Sequence, residues 1–162
     1  MELPINPIAI PIAAVAALFV GALWYHPKLG FGIAWMRAAE MTEERLKSGN
    51  IAIIFGFALL FAALLGVLLM QFTNHQWGAM GMIGAKPELA EPSFEAFMAD
   101  YGTAYRTFKH GALHGAMFGV LGALPILGIN ALFERKSVKY ILIHAGYWML
   151  TLTIMGSLLC GL

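Results

Sequence analysis

Four apolar stretches, each about as long as a bilayer crossing, run through this chain, and all nine of its carboxylates fall outside them. The stretches cover about residues 4–25, 51–72, 108–133 and 140–160. A helix needs about 20 residues, at 1.5 Å each, to cross roughly 30 Å of hydrocarbon. Lipid offers the backbone no hydrogen-bond partners, so stretches of this kind must be helical. Composition agrees: the 162 residues are 60% hydrophobic and only 12% charged. An ordinary soluble domain carries about twice that charge, and one of this length could not cover so much apolar surface. The expected fold is all-α: an integral membrane four-helix bundle with short interfacial amphipathic helices, forming one domain over 1–162. A net charge of +1 gives no purchase on nucleic acid. The single cysteine, Cys160, rules out an internal disulfide and a cysteine-based zinc knuckle.

The leader MELP has no basic residue and no small-x-small cleavage site comes after it, so the first stretch reads as a retained span. Pro4, Pro7 and Pro11 stand in its opening turns, where a missing N–H costs least. Basic residues set the orientation. Lys28, Arg37, Arg45 and Lys47 lie in the first connection and Arg135, Lys136 and Lys139 in the third, against Lys86, Arg106 and Lys109 in the middle. The first and third connections are therefore expected in the cytoplasm, with both termini outside. Phe31, Ala34, Trp35 and Ala38 recur at helical spacing ahead of a Thr42-Glu43-Glu44 start signal, so a surface helix is expected over 31–48. The aromatic stripe Phe94, Phe97, Met98, Tyr101 and Tyr105, with Ser93 as its cap, predicts a second over 93–105.

The third span carries Gly111, Gly115 and Gly119 at successive i+4 positions, with Gly122 next in line. Such a row leaves a groove in which another helix can lie close, whether a neighbouring span or a second copy. His110 and His114 flank the row, each one position before a glycine. The segment reads HGALH, so the glutamate of a zinc-protease HExxH motif is missing. Helical rise puts His114 roughly 20 Å from the level of His144. The histidines thus divide into an outer group, His75, His110 and His114, and an inner group, His26 and His144. The outer group is the candidate for a transition metal or haem. The alternative is neutral imidazoles hydrogen-bonding between helices. No carboxylate lies within a span to serve a proton or cation pathway. Pro125, between Gly122 and Gly128, is placed to break the third span. Asn130, near its inner end, is expected to tether a neighbouring helix, and the methionines to fill gaps. Cys160 in apolar surroundings is expected to be inert. No nucleophile elbow, phosphate loop or GxGxxG is present.

GALWYHPKLGFGIAW, residues 21–35, with MTEE soon after it, resembles the opening of domain-of-unknown-function family 1761. The matching positions are Trp24, Tyr25, Pro27, Phe31, Gly32 and Trp35; in the closing half they are the span-three glycines, Glu134-Arg135-Lys136 and Gly146-Tyr147. The connection over 73–105 is longer than the family's pattern. The resemblance implies a small four-span protein of the bacterial cytoplasmic membrane and supplies no activity, cofactor or catalytic residue. Physically, Trp24 and Tyr25 suit a headgroup boundary, Pro27 stops the helix, Gly30 and Gly32 allow a turn, and Trp35 anchors the surface helix. The expectation is a non-enzymatic, multi-pass protein in the lipid bilayer without a cofactor, either a homo-oligomer or an accessory subunit joined through the third span. A metal- or haem-binding protein using the outer histidines is the alternative, and an oligomeric small-molecule carrier the weaker one.

Overall fold

A computed structural model describes residues 6–162 and places a helix on each apolar stretch. Pro4, the expected start of the first span, lies outside the described residues. Helix α1 covers Ala9–Trp24, α4 Ile51–Thr73, and α9 Val138–Gly161; the third stretch is α7, Phe108–Phe118, continuing through a π-turn, Gly119–Ala123, into α8, Leu124–Phe133. Short helices fill the connections: α2 Gly32–Ala38 and α3 Glu43–Lys47 in the first, α5 Gln76–Met82 and α6 Pro92–Tyr101 in the second. There is no strand among the described residues. Among the described residues, three helices are long and apolar enough to cross a membrane: Ile51–Thr73, Phe108–Phe133 and Val138–Gly161. The apolar helix α1 is shorter, at 16 residues.

Helix starts are written locally. Asn50, Thr107 and Ser137 each accept a hydrogen bond from the backbone N–H three residues on, supplying one partner to the unpaired amides of α4, α7 and α9. Thr42 does the same for α3. The surface helix expected over 31–48 is in fact two, separated at Glu40, whose φ of 56° is left-handed. The helix expected over 93–105 starts at Pro92 without a side-chain cap from Ser93 and ends at Tyr101. Proline at its first position fixes the entry by itself. The π-turn has an evident cause in Pro125: its ring crowds the carbonyl four residues back, and the Leu124 N–H reaches Gly119 O instead.

Helix α9 is the central element, touching α1, α4, α7 and α8. Its partner α1 runs antiparallel along nearly its whole length. Asn6 Nδ2 donates to Leu162 O at 3.3 Å, Tyr147 Oη to Ala17 O at 3.3 Å, and Trp24 Nε1 to Ile143 O at 3.0 Å. The buried core joins Ala9, Ala13 and Ala17 of α1 to Leu69 of α4 and Leu152 and Met155 of α9. On α1 the small residues face inward while Ile12, Val15, Phe19 and Leu23 face out. A helix in water would bury its large side chains; this arrangement lets backbones approach and leaves bulk for a lipid solvent. The same holds for α4, where Ile53, Phe57, Leu60, Phe61 and Leu64 stay exposed.

The glycine row of the third stretch is used within the chain. A Cβ on Gly111 would overlap Gly156 O, one on Gly115 would overlap Leu152 O, and one on Gly119 would stand 2.7 Å from Met149 Cα. All three atoms belong to α9. Association of copies through this row would first have to displace α9. Gly122 is not part of the interface: a Cβ there would meet only Phe118 of its own stretch, at 3.6 Å. The π-turn adds a residue to the winding just there and rotates Gly122 off the packed face.

Candidate metal centre

The outer histidines arrive from two places. Asn74 ends α4 in an extended conformation and its Nδ2 donates to Leu159 O at 3.3 Å, fixing the chain as it leaves the bundle. His75 comes next. His110 and His114 stand one turn apart at the start of α7, on the flank of the helix whose glycines hold α9. His75 Nε2 and His110 Nε2 are 3.0 Å apart, a hydrogen bond in which one ring carries the proton. The ring centroids are 4.9 Å apart for His75 and His110, 5.0 Å for His75 and His114, and 4.4 Å for His110 and His114. Each histidine offers a ligand-capable nitrogen, and the three nitrogens lie within 4.8 Å of one another. His75 is exposed and the other two are half-buried.

Tyr105 adds a wall. Its ring lies 5.2 Å from that of His110 and 6.1 Å from that of His75. The backbone there is left-handed, with φ 62°, a conformation that costs a side-chain-bearing residue roughly 1–2 kcal/mol. Its carbonyl accepts from Thr107 N at 2.9 Å and from Cys160 Sγ at 3.4 Å, which helps hold the turn in that form. Cys160 also reaches Thr73 O at 3.3 Å and is buried. The thiol thus staples the ends of α4 and α9 that lie beside the histidines to the turn before α7.

The inner histidines do not form a matching site. His26 Nδ1 accepts from Lys28 N at 3.1 Å and Leu29 N at 3.2 Å, closing the turn after α1. His144 Nδ1 shares a 3.0 Å hydrogen bond with Tyr25 Oη, while its Nε2 is buried without a partner among the described residues. Trp24 and Tyr25, expected as headgroup anchors, instead turn inward and dock the end of α1 on α9. Trp35 packs edge-on against Tyr25 with centroids 5.3 Å apart, so it too serves this joint. Pro27 stays exposed at the turn. Gly30 and Gly32 are required by close backbone approach: a Cβ on Gly30 would overlap Trp24 O and one on Gly32 would overlap Tyr25 O. Asn130 is exposed and its side chain makes no hydrogen bond among the described residues, so the expected tether is absent. The third connection is tied instead by Lys136, whose Nζ lies 3.6 Å from Glu40 Oε1.

These features define an all-helical chain with several helices fit to cross a membrane and a three-imidazole cluster at one end of the bundle. The chain belongs to the family described as Protein of unknown function (DUF1761), whose model matches residues 8–160. No curated protein and no solved structure matches it.

The sequence pattern carried His110 and His114 as a pair and His75 by level, and the structure brings all three together. The pattern carried no sign of α5 or of Tyr105 as a wall, and only a faint one of Gln76 and Asn74 as struts. Asn74, coming straight after an apolar span, was the one local signal for them, since a short amide at a helix end often bonds backbone.

Proposed function

We propose that this protein crosses the bilayer four times and holds one transition-metal ion at its outer rim on His75, His110 and His114. The observation that carries the reading is the convergence of three imidazole nitrogens to within 4.8 Å, with Nε2 of His75 and of His110, 35 positions apart in sequence, at 3.0 Å. A tetrahedral ion with nitrogen bonds of about 2.0–2.1 Å sets its ligands ~3.4 Å apart. Small side-chain rotations would bring the trio there. Three neutral nitrogens suit zinc, copper, nickel or ferrous iron and leave a fourth position free. Haem fits less well. Paired axial ligands approach the iron from opposite faces of a flat macrocycle, whereas these three rings converge on one side.

The fourth crossing is supported by the hydrogen bonds between α1 and α9. They link the two helices near both ends of α9, so the segment from Asn6 to Trp24 covers most of the depth that α9 covers. His75, His110 and Cys160 then share one end of the bundle, and His26, Glu40 and Lys136 the other. The excess of basic residues at the latter end supports a cytoplasmic placement there.

Metal analysis of detergent-purified protein, stripped and then offered Zn(II), Cu(II), Co(II) or Ni(II) in turn, tests the site. About one equivalent is expected for at least one ion, with affinity falling more than about tenfold in His110→Ala and in His114→Ala. Retention below about a tenth of an equivalent for all four, or unchanged retention in both variants, overturns the reading.

A further inference from the structure

A cavity of about 460 Å³ lies between the end of α1, α2 and the start of α9, lined by Trp24, Phe31, Ala34, Lys139, Leu142 and Ile143. Pockets for small ligands run to about 300–1,000 Å³. The walls are almost entirely carbon, and Lys139 borders the space with its methylene stem. Phe31 and Leu142 are about half exposed or more, which leaves the cavity open along one side. Ordered water needs two or more polar partners. Trp24 Nε1, the polar atom nearest to qualifying, is already engaged with Ile143 O at 3.0 Å. The space suits an apolar occupant.

The cavity also has a direction. At one end the Trp24 ring meets that of Phe31 with centroids 4.7 Å apart and bonds to Ile143 O, joining the start of α2 to the second turn of α9. At the other end Glu40, just past α2, lies 3.6 Å from Lys136, just before α9. The two helices therefore run antiparallel along the cavity, and each follows its apolar lining with a base toward the same end. On α9, Lys139 stands one turn before Leu142 and Ile143; on α2, Arg37 stands one turn past Ala34 on the same face. Both bases are exposed, and neither enters an ion pair among the described residues. A groove with carbon walls, an open side and two free cations at its solvent end is complementary to a molecule with an apolar chain and an anionic head. We propose that it seats one acyl chain of an anionic phospholipid of the inner leaflet, with the headgroup against Lys139 and Arg37. This rests on the four-crossing reading, which sets that end of the bundle at the cytoplasmic membrane surface, and is independent of the metal.

Native mass spectrometry of the full chain in detergent tests the groove with phosphatidylglycerol and phosphatidylcholine of identical acyl chains. One phosphatidylglycerol should be retained roughly fivefold or more over phosphatidylcholine. Lys139→Gln with Arg37→Gln, both at exposed positions that leave the fold intact, should abolish the preference and spare phosphatidylcholine binding. Arg45→Gln, a base of α3 off the groove, should leave the preference unchanged. Ala34→Leu, which fills the cavity, should lower retention of both lipids. Glycerol 3-phosphate, a head without chains, should not displace the lipid. Equal retention of the two lipids, a preference that survives the double variant or falls equally in Arg45→Gln, or displacement by glycerol 3-phosphate overturns the proposal. Metal content on the same samples and cysteine labelling of the connections are separate readouts, so failure here is distinguishable from failure of either reading above.

Discussion

Single side chains in this protein do their work mainly by closing hydrogen bonds that lipid cannot supply. The Tyr25–His144 pair is the clearest case, because Nε2 of the same imidazole already lacks a partner among the described residues. Tyr25→Phe keeps the ring against Trp35 and Tyr147 but strands the second nitrogen. It should destabilise the fold by about 1–3 kcal/mol in denaturant titration. Replacing both partners, Tyr25→Phe with His144→Phe, should cost less than the sum of the single changes, since no orphan remains. At the outer cluster the equivalent lever is acid. An imidazole ligates only when neutral, so protons compete with the ion. Metal retention should be full near about pH 7.5 and largely lost near about pH 5.5, read by metal content after dialysis; a flat profile would contradict imidazole ligation.

Among the elements, the joint between α7 and α9 is the most constrained. Gly115 has the Leu152 carbonyl directly where a side chain would begin, so even Gly115→Ala must push the helices apart. Overpacking of this kind costs about 1–3 kcal/mol, and Gly115→Leu should cost more. Because the groove is filled by the same chain, the loss should not depend on protein concentration; a concentration-dependent loss would indicate an interface between copies. This joint was legible in the sequence, because glycines at i+4 mark a backbone-close approach whatever the partner. The identity of the partner was not, since a row of glycines carries no address. Nor was the inward turn of Trp24 and Tyr25. A Trp-Tyr pair at the end of an apolar run suits both a headgroup layer and a buried joint, and only Ile143 O and His144 across the bundle decide between them. Conversely the alanines of α1 spell the same small-residue rule as the glycines, yet alanine is too common in apolar helices to single out.

At the scale of the molecule, the four stretches and the points where the chain leaves them were legible because hydropathy, charge placement and capping residues are local properties. The outer connection was not. Its short helices are held by long-range bonds, Gln76 to the Tyr101 and Ala104 carbonyls and Cys160 to the Thr73 and Tyr105 carbonyls, none of which has a period to detect. The proposed topology makes a separable prediction. In a Cys160→Ser background, a cysteine at Ser93 should react with a membrane-impermeant maleimide on intact cells, and one at Ser48 only after permeabilisation. Equal reactivity would place both connections on one side and refute four crossings.

The spacing of the cluster along the chain has a mechanical corollary. His75 stands just before the outer connection and His110 just after it, so any ion gripping both would fasten that excursion shut like a buckle. Closing a loop from both ends removes freedom from the unfolded chain and restrains local opening. Limited proteolysis around residues 83–91, slow in the loaded protein, should quicken once a chelator has emptied it.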